Sequence, residues 1–248
     1  MKTRSIARLA LAAVLLTAHA PAVQAITGAE VIDRMQKSFA KAKTFSAKFE
    51  KRFYWAVLDK RLSSKGRLYT RKPGQFRVEV GDGDVIVADG QAIWAYMAKN
   101  DQVFVSAYDG DLPTPWEILV DYTESFAPRA VMETELDGRS CYLVTLEPRS
   151  ERSVNAEGQG RVVRIKVWVG RKNWHLLKVE QFEANDDVRT YVLKGHRTGK
   201  KLSDELFTFE PPEGVQVIDR RPAHSRLSER SRVGEALELD GDAPLSSD

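Results

Sequence analysis

Cysteine is nearly absent: the 248 residues hold one, Cys141, beside only four histidines. A lone cysteine in an oxidising compartment closes no internal disulfide, so stability must come from packing. Cys141 opens an apolar run, Cys-Tyr-Leu-Val-Thr-Leu, with no histidine nearby in sequence, a setting for a buried thiol rather than a nucleophile. His175, His196 and His224 lie far apart in sequence, with neither a His-x-x-x-His spacing nor a cysteine pair to suggest zinc. The Asp-Gly-Asp triplets at 82–84, 109–111 and 240–242 do not continue into the acidic spacing of a calcium loop and read as turn chemistry. A Gly-x-Ser-x-Gly elbow and a phosphate loop are also missing. No metal, no cofactor and no enzymatic activity are therefore expected.

Charge of one sign is lacking as well. The formal net charge is +3, and three basic residues, Lys2, Arg4 and Arg8, fall at the extreme N-terminus, so the remainder is close to neutral and gives no argument for nucleic-acid binding. Long apolar runs are absent too. The run at 9–16 is too short to span a bilayer and follows the basic start, while Val23-Gln24-Ala25 makes a small-residue cleavage pattern. These features predict an export signal over 1–25 and a soluble, exported product. No cysteine follows the expected cut, so no lipid anchor is expected. The remaining 223 residues suffice for one large domain, expected over 26–221. Residues 222–248 are rich in Arg, Glu, Ser, Gly and Asp without periodicity and read as a charged, disordered tail.

What is present is mostly strand. Thr27 and Glu30 form a capping box, and Val31, Met35 and Phe39, with Ile32 and Ala42 beside them, predict a helix covering a sheet. From Thr44 the period becomes two, with Phe45, Ala47, Phe49 and Phe53 on one side. The stretch 66–102 then reads as consecutive short strands. Pro73-Gly74, Gly81-Asp82-Gly83 and Asp89-Gly90 punctuate it, and Val85 to Ala88 are apolar in succession, as in a strand covered on both faces. Thr114, Pro115 and Glu117 carry the start signals of a second helix, with Ile118, Tyr122 and Phe126 on its stripe and Pro128 as its stop. Further strands are expected at 139–146, 161–169, 176–183, 188–194 and 215–218. About ten to eleven strands, a leading helix and an inserted one predict a mainly β fold with α. The expected form is an unclosed, strongly curved antiparallel β-barrel wrapped on helices.

Several segments resemble the family of periplasmic outer-membrane lipoprotein carriers (LolA). They are Thr-Phe-Ser-Ala-Lys-Phe-Glu at 44–50, Gly-Arg-Leu-Tyr-Thr-Arg-Lys-Pro-Gly-Gln-Phe-Arg at 66–77 and Val-Ala-Asp-Gly-Gln-Ala-Ile-Trp-Ala-Tyr at 87–96. Thr-Pro-Trp-Glu-Ile-Leu at 114–119 and Phe-Thr-Phe-Glu-Pro-Pro-Glu-Gly-Val at 207–215 complete the set, in the family's order across roughly 26–220. The resemblance implies a half-open β-barrel whose inserted lid helices enclose an apolar cavity. It implies a chaperone that takes acylated lipoproteins from an inner-membrane ABC transporter complex and hands them to an outer-membrane acceptor, acting as a monomer. The alternative on the same fold is a periplasmic lipid- or lipoprotein-sensing module of an envelope-stress pathway, which a separate partner-binding domain would favour.

On this reading Leu68, Phe76, Val78, Ile93, Trp94, Trp116 and Leu119 are the candidates for the acyl cavity. Large aromatics such as Trp94, Tyr96, Trp116 and Phe126 suit an ordinary core equally well. The family places a basic residue, usually Arg, before the strand-breaking proline, where it bonds lid carbonyls. Here Lys72 holds that position, with Arg71 before it. Strand parity puts Lys72 with Leu68 and Arg71 on the other face, so only one can point inward. Lysine lacks arginine's planar fork, which predicts a weaker or differently wired latch. Simple decoration of a turn is the competing reading for both.

Overall fold

The computed structural model describes residues 25–108, 125–150 and 161–222. The expected signal cleavage motif at Val23-Gln24, the inserted helix from Thr114, and the tail beyond 222 lie outside the described residues. The helix α1 (Gly28–Lys41) begins as the sequence predicts: Glu30 N–H donates to Thr27 Oγ1 at 3.1 Å and Thr27 N–H donates to the Glu30 carboxylate at 3.2 Å. Val31, Ile32 and Met35 form its buried stripe.

The strands are β1 (Thr44–Trp55), β2 (Lys60–Arg71), β3 (Gln75–Val80), β4 (Val85–Ala88), β5 (Ala92–Met97) and β6 (Gln102–Ala107), then β7 (Phe126–Leu136), β8 (Arg139–Pro148), β9 (Val162–Gly170), β10 (Leu176–Glu183), β11 (Val188–Thr198) and β12 (Gln216–Asp219). All twelve join one sheet in the order β12-β6-β5-β4-β3-β2-β1-β11-β10-β9-β8-β7. Two meanders, β1 to β6 and β7 to β11, are thus seamed by the β1–β11 pair. The end strands β7 and β12 are not paired with each other, and the sheet is not closed.

Three expectations need correction. Among the described residues the sheet has twelve strands, because β7 occupies the stretch expected to end the second helix: Phe126 and Pro128 lie in a strand. The i, i+4 spacing of apolar residues was satisfied by chance across a boundary. Pro128 is tolerated because β7 is an edge strand and a bulge falls between Pro128 and Ala130. The sheet is also mixed rather than antiparallel throughout, since β12 pairs parallel with β6. After β11 the chain runs back across the outer face, packing Phe209 on Trp94 and Tyr96 at 6.0 and 6.3 Å, and so enters β12 in the direction of β6.

α1 lies across the strands. Its N-terminal end meets β7 and β8, and its C-terminal end reaches β1, where Phe39 and Phe45 make an edge-on pair at 5.6 Å. One apolar cluster joins Val31, Ile32 and Met35 to inward residues of β1, β2 and β7 to β11, among them Leu68, Val144, Val167, Val179 and Leu193. Gly66 permits part of this packing. A Cβ there would stand 2.0 Å from the Glu79 carbonyl oxygen and 2.5 Å from the Phe49 ring, so only glycine fits mid-strand.

Candidate functional site

Strand register turns the predicted meander into two transverse rows on one face. Ala47, Leu68, Val78, Ile86, Ala95 and Phe104 are successive cross-strand partners, and so are Phe45, Thr70, Phe76, Ala88, Ile93 and Ser106. Alternation makes this the face that α1 packs on, since Phe45, Ala47 and Leu68 belong to the same cluster as the helix. Leu68, Phe76 and Ala88 are buried, whereas Val78, Ile86 and Ile93 are half-buried. Tyr108 closes one end, edge-on to Phe76 at 6.2 Å. Of the predicted cavity residues, Leu68, Phe76, Val78 and Ile93 thus share a wall.

Trp94 does not. Neighbours along a strand point to opposite faces, so Trp94 cannot join Ile93. It lies outside, packed with Val103, Val105 and Phe209, and its indole N–H donates to Asp89 Oδ2 at 3.2 Å. Asp89 also accepts the backbone N–H groups of Gln91 and Ala92 at 2.7 and 2.8 Å, so one carboxylate holds both the β4–β5 turn and the Trp94 ring. Trp116 and Leu119 lie outside the described residues.

The two basic residues part as parity requires. The Lys72 ammonium donates to the Ala40 carbonyl at 3.1 Å and stands 5.2 Å from the centre of the Phe39 ring. Ala40 is in the last turn of α1, where carbonyls lack helical partners and the helix dipole favours a cation, worth about 0.3–1 kcal/mol at an exposed site. The observed partner of Lys72 is thus the leading helix. Arg71 faces outward: its Nε donates to Gln75 at 2.7 Å, its guanidinium pairs with Asp204, and it stacks 4.4 Å over Phe207. It ties the returning C-terminal segment to the outer face.

The structure brings together a pair that sequence spacing hid. His175 and His196 stack with ring centres 4.9 Å apart, and His196 Nε2 meets the Leu176 carbonyl at 2.7 Å. Burial, opposed by that hydrogen bond and reinforced by His175 and Arg139, pushes the His196 imidazole down to about 4. The neutral ring with Nε2 protonated satisfies the carbonyl. Their neighbours are mostly apolar, Met35, Phe39, Phe45 and Trp174 beside the hydroxyl residues Ser38 and Thr198, and among the described residues no group of three His, Cys, Asp or Glu side chains gathers to hold a metal. Cys141 is buried, and burial raises its thiol pKa, consistent with an inert packing role.

Comparison with known proteins fits this architecture. Residues 40–210 match the family described as outer membrane lipoprotein carrier protein LolA. The outer-membrane lipoprotein carrier protein of Glaesserella parasuis is 24% identical over 200 residues, covering 79% of this chain and 89% of that protein. The corresponding protein of Legionella pneumophila is 27% identical over 158 residues, covering 62% and 73%. Among solved structures, an uncharacterized conserved protein from Thermus thermophilus superposes with a TM-score of 0.51 at 14% identity, covering 77% of this chain and 98% of that one.

Proposed function

The chain belongs to the LolA family of outer-membrane lipoprotein carrier proteins, a family of carriers and not of enzymes, and on that premise we propose that it is a periplasmic lipoprotein chaperone. It takes up the acyl chains of lipoproteins released by an inner-membrane ABC transporter complex and delivers them, as a monomer, to an outer-membrane acceptor. Residues 1–25 act as the export signal, 26–221 form the carrier domain and 222–248 a charged tail.

The observation that carries this reading is the pair of apolar rows on β2 to β5, with Val78, Ile86 and Ile93 only half covered. Water-exposed acyl chains cost about 0.8 kcal/mol per CH₂, so several chains amount to tens of kcal/mol that a soluble complex must offset by burial. An apolar wall supplies many weak, non-directional contacts, which suits cargo that must later leave. Lys72 fastens the end of α1 by one hydrogen bond, which cargo entry can break at small cost.

The test is transfer. Purified protein is mixed with inner-membrane vesicles carrying an acylated lipoprotein, the transporter and ATP, and soluble lipoprotein–protein complex is then assayed by gel filtration. A soluble complex is expected. Its absence overturns the carrier reading, whereas uptake without delivery favours a sensor.

A further inference from the structure

The end of the sheet where α1 stops carries an open basin of about 670 Å³, lined by Lys41, Lys43, Lys200 and Lys201 with hydroxyl residues between them and no acidic side chain. All four lysines are exposed, and none pairs with a carboxylate of the described residues. The surroundings do not balance them. Lys37 and Arg71 are spent on Asp33 and Asp204, Lys72 and Arg197 add two more bases, and Glu205 is the one further acid. Eight bases thus meet three acids, a surplus of five on a chain that is close to neutral beyond its N-terminus. Further along the same edge, Asp89 is taken up by the β4–β5 turn and Asp137 by Lys194.

The crowding is built into the backbone. Gly199 N–H donates to the Thr44 carbonyl at 3.0 Å, Thr44 Oγ1 donates to the Lys200 carbonyl at 2.8 Å, and Lys72 N–H donates to the Lys43 carbonyl at 2.8 Å. These bonds clamp the lysine-bearing segments 41–43 and 200–201 side by side. The helix end does not call for so much charge. Its dipole amounts to about half a negative charge, and the Lys72 ammonium already meets the Ala40 carbonyl. Like charges gathered in this way repel one another, and a concave wall of one sign concentrates counter-ions.

The lining sets the chemistry of a ligand. Each ammonium brings three donors and no acceptor, while the Ser38 hydroxyl donates to the Asn173 carbonyl at 3.1 Å and that of Thr44 to Lys200, so what the basin offers is cationic donors. A phosphate group answers with compact charge and several oxygens that accept from more than one lysine at once. The volume is that of a small-molecule site, well above what a single ion fills. Apolar packing begins directly beneath. Ser38 and Thr198 also border Met35, Phe39 and Phe45, and Phe45 opens the inner row that runs to Thr70, Phe76, Ala88 and Ile93.

We propose that this basin seats a phosphate group, borne by a lipid headgroup or free, with Lys41, Lys43, Lys200 and Lys201 as its counter-charges. The seating stands on the basin alone and needs neither lipoprotein nor transporter. Only the headgroup source rests on the carrier reading, because a lipid held there lays its acyl chains toward Phe45 and the inner row.

In the experiment, isotopically labelled protein is titrated at low ionic strength with inorganic phosphate, with dihexanoyl phosphatidic acid below its micelle concentration, and with succinate as a dicarboxylate control. The amide resonances of residues 41–44 and 198–201 are followed. Both phosphates shift them saturably, and succinate binds at least about tenfold more weakly. The triple change Lys43→Gln, Lys200→Gln and Lys201→Gln, confined to exposed positions, weakens phosphate binding about tenfold or more while circular dichroism stays unchanged. Lipid bound about tenfold more tightly than inorganic phosphate identifies the headgroup as the source, whereas equal affinity identifies free phosphate and leaves the carrier reading untouched. No saturable shift at the basin, succinate bound as tightly, or unaltered binding by the triple variant overturns the proposal. So does tighter binding of the peptide Glu-Ala-Leu-Glu-Leu-Asp-Gly-Asp, the sequence of residues 235–242, which would make the basin a seat for an acidic segment.

Discussion

The two halves of the sheet begin from the same alternation of apolar and polar residues and end with different surfaces. On β8 to β10, Val144, Leu146, Ile165, Val167, Val169 and Val179 are all at most 1% exposed, because α1 lays Val31, Ile32 and Met35 over that side. On β3 to β5 the same face buries Phe76 and Ala88 but leaves Val78, Ile86 and Ile93, drawn from both rows, only half-buried. One half is a finished core; the other keeps apolar surface in reserve. Polar alternation cannot tell them apart, since a strand records which side is apolar and not what will cover it. Half-covered apolar rows of this size are a natural place for a ligand.

The sharpest break of that contrast is a pair of truncations. Leu146→Ala in the filled half is expected to cost about 2–5 kcal/mol, and Ile86→Ala in the half-covered part less than half as much. Urea unfolding midpoints read both, and equal losses would erase the distinction. Next in size is an acid dependence seated in the filled half. The folded His196 imidazole has its pKa lowered to about 4, against about 6.5 in the unfolded chain. The unfolded state therefore binds the extra proton between those values, so stability is full above about pH 6.5 and falls as pH drops towards 4, by on the order of 3 kcal/mol. Denaturation midpoints followed across that window should show a slope that His196→Gln flattens.

A third comparison sets neighbours against each other. Ile93→Ser on the inner face should weaken binding of a fluorescent acyl probe about fivefold, near 1 kcal/mol, with little change in stability. Trp94→Ser on the outer face should destabilise the fold and leave probe affinity intact, and the reverse pattern would invert the assignment of faces. The smallest effect is at Lys72. Lys72→Leu should alter stability by less than about 1 kcal/mol, yet give tighter cargo retention or impaired transfer in the vesicle assay. Unchanged transfer would leave Lys72 as a tie to the helix end.

Much of the wall was legible in advance. Leu68, Phe76 and Val78 follow from period-two alternation punctuated by turns, and Lys72 and Arg71 were separable by parity alone. Trp94 departs from the expected wall by that same rule: an aromatic suits a cavity by composition, but its place next to Ile93 in β5 turns it to the opposite face. β7 was hidden by Pro128 and by an accidental helical spacing; the edge position that makes a strand proline harmless is a property of sheet order. The His175–His196 pair, 21 residues apart in sequence, had no local signal at all. The lysines at 41–43 and 200–201 were visible as letters, yet their meeting depends on the β1–β11 seam.

The sequence by itself determined the elements: the capping box, the period of each strand, the turns at Asp89-Gly90 and Asp137-Gly138, and through them which side chains share a face. These are set by bonds and dihedrals within a few residues. Only the tertiary structure decided the seam between β1 and β11, the parallel entry of β12, the crossing of α1 and hence which half of the sheet is filled. Those outcomes depend on contacts between segments distant in the chain, where one helix has apolar surface enough for half a sheet and leaves the other half for something else to cover.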